Sequence, residues 1–207
     1  MNDFAPEMRL FDNDGQRLYL SADERKRFLD AATKENREER IFCHVLHFTG
    51  CRPSEALELT PGRVHIADHE IVFRTLKKRK RDRQGREKKP QFRTIPVPGN
   101  LIDQMDLVFD LRRIQKQDSK EPLWSMSRTT SWRLVKRVMD NAGIKGPQAT
   151  QKGLRHGFGI AMLTGEQPLP LNVLRDLMGH TDTKTTEIYA NAIGYEKRKL
   201  VMQAWEQ

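Results

Sequence analysis

No stretch of this sequence approaches the roughly 18 consecutive apolar residues that a membrane-spanning helix needs, so no spanning helix is expected. Cysteine is scarce: Cys43 and Cys51 are the only two, too few for a disulfide framework and best suited to a reducing compartment. Aromatic residues make up 7% of the chain and are not interleaved as the stacking platforms that single-strand and RNA binders use. The opening MNDFAPEMRLFDNDG mixes acidic, polar and apolar residues, which does not fit a secretory signal. Internal repeats and low-complexity blocks are also lacking. What remains, 207 residues with 31% charged and 37% hydrophobic side chains, reads as one generous domain in the cytoplasm, on or near the nucleoid.

The charge that is present is concentrated. Between Arg74 and Arg93 eleven Lys or Arg stand against Asp82 and Glu87, so this one stretch carries the whole formal excess of +9 while the rest of the chain is balanced. With apolar strands on either side, it reads as a hairpin arm that lays cations along a polyphosphate backbone. Lys78, Arg79, Lys80, Arg81, Arg83, Arg86, Lys88 and Lys89 are its candidate DNA contacts.

The expected fold is mainly α with a small antiparallel β-sheet, an α+β arrangement. Residues 1–20 read as a loosely held N-terminal tail, and 21–207 as a single domain. Ser21 caps a helix carrying Phe28 and Leu29, with Asp23 and Glu24 in its first turn. A second helix over 37–48 buries Ile41, Val45 and Leu46. Pro53 suits the first turn of a short helix. Strands follow near 64–66, 71–73 and 94–97, then helices near 101–113, 130–141, 154–163, 172–178 and 183–190. Cys43, His47 and Cys51 are spaced by four and would share one face of a continuous helix. Gly50 and Pro53 interrupt that helix and no fourth ligand stands nearby, so the cysteines read as buried small hydrophobes and no metal site is expected.

The stretch NVLRDLMGHTDTKTTEIYA is the most informative. Leu174, Leu177 and Met178 recur at helical spacing, Gly179 ends that helix and turns His180 away from the core, and Thr181 or Asp182 caps a new helix running to Tyr189. A phenol with a pKa of about 10 is a poor nucleophile unless cations stabilise the developing charge. Two arginines are placed to do so. Arg52 precedes a helix start, where free N–H groups favour an oxyanion, and Glu55 lies one turn on. Arg155 sits between Leu154 and Phe158, which should bury, so its guanidinium needs a partner such as phosphate.

TGCRPSEALEL, KGLRHGFG, the Met178–His180 MGH and TTEIYA resemble, in order and spacing over residues 21–195, the boxes of the tyrosine recombinase family, also called phage integrases. The resemblance implies a catalytic fold of helices around a small sheet, acting on double-stranded DNA with no metal or nucleotide cofactor. It implies that Tyr189 attacks the scissile phosphate to give a 3′-phosphotyrosyl link. Arg52 and Arg155 would clamp the non-bridging oxygens with His180, and Glu55 and His156 would support them. The resemblance further implies that a hairpin lysine, Lys77 or Lys78, protonates the departing 5′-oxygen; strand alternation admits only one, and Lys77 is the expected donor.

Two features depart from the family pattern. Lys152 stands where histidine is usual, three residues before Arg155. It can donate to phosphate but cannot shuttle protons near neutral pH as histidine does, a feature closer to type IB topoisomerases. Some twenty residues before Ser21 are too few for the N-terminal clamp domain of most members, and the layout is similar to the short fimbrial phase-switch invertases. The expected assembly is a tetramer on two DNA sites, from monomers in solution, with an accessory DNA-bending or directionality protein and no membrane association. The C-terminal stretch 194–207, with Leu200, Val201, Ala204 and Trp205 on one helical face, docks in cis or on a neighbouring protomer. A DNA-binding regulator with a silent site, and DNA relaxation, are the alternatives.

Overall fold

A computed structural model of the chain describes residues 9–76, 89–180, 185–189 and 205. Its elements run α1 (Ala22–Ala32), α2 (Arg37–Thr49), α3 (Pro53–Leu57), a 3-10 turn (Pro61–Arg63), β1 (Val64–His65), β2 (Glu70–Arg74), β3 (Phe92–Pro96), α4 (Gly99–Phe109), α5 (Leu111–Lys116), α6 (Arg128–Asn141), α7 (Gln151–Thr164) and α8 (Leu171–Met178). Residues 185–189 form a further helical turn. Among the described residues, no helix is long and apolar enough to cross a membrane.

The caps follow from local chemistry. The Ser21 side chain accepts from the Glu24 backbone N–H while Glu24 accepts from the Ser21 N–H, a reciprocal capping box that starts α1. The Asn36 side chain caps α2 by accepting from the Glu39 N–H, and Gly50 ends it in the left-handed region. Pro53 occupies the first turn of α3, where its missing N–H costs nothing. The single helix expected over 101–113 is instead two. Asp110 adopts φ 51° and ψ 50°, closing α4 and opening α5. Aspartate tolerates that conformation better than most residues.

The sheet is antiparallel in the order β1-β2-β3, with Ile71 opposite Ile95 and Phe73 opposite Arg93. Ile71, Phe73 and Ile95 are buried on one face. By strand alternation Arg93 lies on that same inner face, two residues before Ile95.

Buried side chains divide into two clusters. The larger packs α1, α2, α4 and α6 around the sheet; Trp124 stands edge-on to both Phe42 and Phe109, and its indole N–H donates to the Glu38 carbonyl at 3.0 Å. The smaller gathers Leu10, Tyr19, α7 from Phe158 onward, α8, Ile188 and Tyr189. Helix α7 spans both, with Leu154 in the first and Phe158 in the second.

The stretch before Ser21, expected to be loose, is held from Leu10 on. Leu10 and Tyr19 enter the smaller cluster, Phe11 bridges Arg17, and Arg17 pairs with Glu24 at 2.5 Å. Glu24 also accepts from the Gln148 amide at 2.9 Å. Burial pushes its carboxyl up, but Arg17, the Ser21 backbone and Gln148 outweigh it and hold the pKa at about 2.

Candidate active site

Four parts of the chain meet in one cluster: the start of α3, strand β3, helix α7, and the end of α8 with residues 185–189. Arg52 is the N-cap residue of α3. Its side chain reaches Glu55 Oε1 at 3.0 Å, and its backbone N–H donates to Glu55 Oε2 at 2.9 Å. The Glu55 side chain has no exposure, against 22% for Arg52. Thus Glu55 holds the guanidinium rather than facing water. Burial alone would push its carboxyl up, but the hydrogen bond and charge of Arg93, then the backbone N–H and charge of Arg52, hold it below the usual carboxylate range.

Arg155 projects from α7 between Leu154 and Phe158, both buried as expected. Its partners in the structure are protein groups: Nη1 donates to the Gly50 carbonyl at 2.5 Å and Nη2 to the Met178 carbonyl at 2.7 Å. Both carbonyls lie at helix C-termini, of α2 and α8, where the backbone dipoles favour a cation. Burial first, then the neighbouring charge of Arg52, pulls its pKa down to about 10, so it stays charged at neutral pH.

His180 turns inward rather than away from the core and is 8% exposed. Arg155 Nη2 approaches its Nε2 at 3.2 Å, and its Nδ1 lies 3.0 Å from Thr186 Oγ1. A guanidinium only donates, so Nε2 accepts; a neutral imidazole then carries its proton on Nδ1 and donates to Thr186. The ring is neutral because burial, followed by the charges of Arg155 and Arg52, lowers its pKa to about 3. The Gly179 turn that delivers it has φ 63°, and a Cβ there would meet Arg93 Nη1 at 3.0 Å, two independent reasons for glycine.

Tyr189 is fully buried. Its hydroxyl lies 2.8 Å from His156 Nδ1, and its ring is parallel to that of His180 with centroids 6.3 Å apart. Gly159 makes room for it, since a Cβ there would stand 2.7 Å from Tyr189 Cε1. Burial pushes the phenol up to about 12 against the pull of Arg155 and Arg52. Burial, then the charges of Lys152 and Arg155, pushes His156 down to about 3. Among the described residues, His156 Nε2 is buried without a hydrogen-bond partner. A proton there would be a stranded donor, the costlier orphan, so Nδ1 carries the proton and donates to the phenol oxygen.

Lys152 is exposed in the first turn of α7, one turn before His156. Lys89 is exposed. Lys77, Lys78, Arg79, Lys80, Arg81, Arg83, Arg86 and Lys88, the caps Thr181 and Asp182, and 194–207 apart from Trp205 lie outside the described residues. Cys43 and Cys51 are free and buried.

Sequence reasoning missed two residues of this pocket. Arg93 entered only as one charge of the basic stretch, yet it is 8% exposed and bonds Glu55 Oε2 at 2.5 Å; its place two residues before a buried isoleucine on β3 was the available signal. Thr186 lies one helical turn before Tyr189 and on its face, which helical spacing alone indicates.

Comparison with known proteins gives the family and the fold. Residues 18–193 match the phage integrase family. The chain is 27% identical over 197 residues to the tyrosine recombinase XerA of Pyrococcus furiosus, covering 89% of this chain and 61% of that protein. It is 26% identical over 167 residues to a probable site-specific recombinase in the afa region of Escherichia coli, covering 78% and 65%. The chain thus spans about 60% of the length of the curated XerA relatives it matches. Among solved structures, a XerA recombinase superposes with a TM-score of 0.67 at 23% identity, over 89% of this chain and 65% of that one. XerH bound to its difH substrate gives 0.66 at 17%, over 86% and 55%, and the catalytic domain of bacteriophage HP1 integrase 0.59 at 20%, over 85% and 88%. These likenesses establish the fold.

Proposed function

The chain belongs to the phage integrase family, and from that premise we propose that it is a site-specific recombinase that cuts and rejoins double-stranded DNA through a 3′-phosphotyrosyl intermediate at Tyr189, without metal or nucleotide. The observation that carries this reading is that Arg52, Arg155, His180 and Tyr189, which are far apart in sequence, meet in one cluster.

The two guanidinium groups are held by carboxylate and carbonyl partners, so they are oriented before substrate arrives. A scissile phosphate seated between them gains charge on its equatorial oxygens as the phenol oxygen adds, and fixed cations in a water-poor pocket stabilise that charge by several kcal/mol. The bond from Tyr189 oxygen to phosphorus forms as the bond to the 5′-oxygen breaks. The phenol proton passes by way of a non-bridging phosphate oxygen to Nε2 of His180, and the departing 5′-oxygen takes one from Lys77. Phosphate charge beside His180 raises the basicity of its imidazole, so it gains a donor on Nε2 toward the same oxygens. Phosphotyrosine conserves the energy of the broken bond, and a second 5′-hydroxyl reverses the step onto a new strand. Lys152 and the cations from Lys78 to Lys89 contact DNA phosphates.

On this reading residues 21–207 form the breaking and rejoining domain. Four protomers assemble on two DNA sites in the cytoplasmic nucleoid, with an accessory DNA-bending protein, and 194–207 docks in cis or on a neighbour. The Tn1549 transposon integrase, which shares the fold with a TM-score of 0.60, is in complex with transposon right end DNA.

The test uses supercoiled plasmids carrying fragments that flank the gene, incubated in chelator and stopped with detergent. Wild type is expected to give a covalent protein–DNA adduct, and Tyr189→Phe to reduce it at least 10⁴-fold, to background, while keeping DNA affinity. Salt-sensitive binding without adduct would favour the silent regulator. Relaxation without strand exchange would favour the topoisomerase-like activity.

A further inference from the structure

The side chain of Arg93 leaves the inner face of β3 and spends each of its nitrogens on a different part of the pocket. Nη2 donates to Glu55 Oε2 at 2.5 Å, Nε to the Leu177 carbonyl at 2.8 Å, and Nη1 to Thr75 Oγ1 at 3.3 Å. Its Cζ stands 5.6 Å from the centroid of the Phe73 ring opposite it. The side chain is 8% exposed, and a Cβ on Gly179 would stand 3.0 Å from its Nη1. A group so enclosed is not available to DNA. Its three acceptors lead to three functional parts: Glu55 to Arg52, Leu177 and Gly179 to His180, and Thr75 to the end of the strand from which the basic hairpin departs.

We infer that Arg93 is a positioning residue that locks the base of the β2–β3 hairpin, the Arg52–Glu55 pair and the His180 turn into one geometry. The inference rests on the proposed cleavage reaction and deepens it. Geometry makes arginine necessary: three acceptors in three directions match a planar fork with several fixed donors, whereas the single ammonium of lysine satisfies one or two and lets the others drift. Glu55 is the central link, because the same carboxylate holds Arg52 and Arg93. Loss of Arg93 leaves Glu55 free to shift and Arg52 to shift with it.

The experiment measures single-turnover adduct formation at saturating DNA, alongside DNA affinity, for wild type, Arg93→Lys, Glu55→Gln and the double variant. Arg93→Lys is expected to slow adduct formation at least 30-fold with affinity changed less than threefold, and the double variant to be no slower than the slower single one. An unchanged rate, a loss that appears wholly as weaker binding, or a double variant showing the product of the two losses would each overturn the inference. Should Arg93→Lys melt below the assay temperature, Thr75→Val cuts only the hairpin link. It is expected to slow the step three- to tenfold, and no slowing would refute the coupling. If wild type forms no adduct the cleavage reading fails, and a second readout still decides the inference. In ¹⁵N imidazole spectra at neutral pH, the His180 ring resonances should shift or broaden in Arg93→Lys as its turn loosens; resonances identical to those of wild type would overturn the positioning role.

Discussion

The two hydrophobic clusters of this molecule carry different halves of its chemistry. The larger one ends beside the pocket in Arg52 and Glu55, anchored by α2, α3 and the sheet. The smaller one holds Tyr189 among Tyr19, Phe158, Ile160, Leu174 and Met178. Arg155, between Leu154 of the first cluster and Phe158 of the second, spans the seam, bonding the end of α2 on one side and the end of α8 on the other. The cations are therefore fixed by backbone carbonyls and a buried carboxylate. Among the described residues, Tyr189 is fixed by packing in a small cluster and a hydrogen bond to His156. Charge stabilisation requires preorganised donors, whereas on the proposed reaction a phenol that must meet phosphorus and later release it has no use for so many bonds.

The most damaging way to break this division, short of removing the phenol, is to loosen the seam. Arg155→Lys keeps a charge but cannot serve the Gly50 and Met178 carbonyls and a phosphate together. Adduct formation should fall about 10²- to 10³-fold, the usual cost of a lost donor to developing negative charge. Single-turnover rates at saturating DNA check this, and a loss below tenfold would show that the arginine does not act at the transition state.

Acid should weaken both clusters. Burial holds His47, beside Arg25, at a pKa of about 3, and His156 and His180 likewise. In the unfolded chain these imidazoles titrate near 6.5, so below that value the unfolded state binds more protons. Stability is therefore complete above about pH 7 and falls as pH drops from 6.5 toward 3, by up to about 4 kcal/mol per pH unit when all three protons are taken up. Glu24 adds to the loss below its ordinary range, as its lowered pKa must be overcome. Thermal melts from pH 8 to 5 test the sign, and a midpoint that holds steady to pH 5 would contradict it.

Gly159→Ala probes the small cluster alone. The new Cβ would stand 2.7 Å from the Tyr189 ring, an overpacking that costs about 1–3 kcal/mol. A lowered melting temperature is expected with DNA affinity unchanged.

The smallest effect is expected at His156. For it to take the phenol proton, that proton would move against both shifts, since burial raises the phenol while burial and the charges of Lys152 and Arg155 lower the imidazole. His156 is thus a donor that seats the phenol oxygen. His156→Gln retains an N–H and should slow adduct formation less than tenfold, with the pH profile unmoved. A general base would cost 10²- to 10⁴-fold instead.

Much of this was legible in the sequence because short-range chemistry produced it. The Ser21 capping box, the Ile41, Val45 and Leu46 stripe, Pro53 at a helix start and the Gly179 stop are all written within a few residues of where they act. Arg52, Arg155, His180 and Tyr189 were readable because their flanking boxes are. What was not legible depends on long-range burial. The inward turn of His180 follows from Arg155 reaching across from another helix, and the bond between His156 and Tyr189 spans 33 positions. Arg93 was hidden for a different reason: it stands at the end of a basic stretch, where one more arginine looks like one more phosphate contact. Only its place on the inner face of β3 separates it from Lys89, which is exposed.

The most direct test of the account is the identity of the linkage itself. Trapped adduct, digested with nuclease and protease, should yield on mass spectrometry a peptide containing Tyr189 with a nucleotide joined through its 3′-phosphate, formed equally well in chelator. A link to another residue, a 5′-phosphate link, or a metal requirement would contradict it.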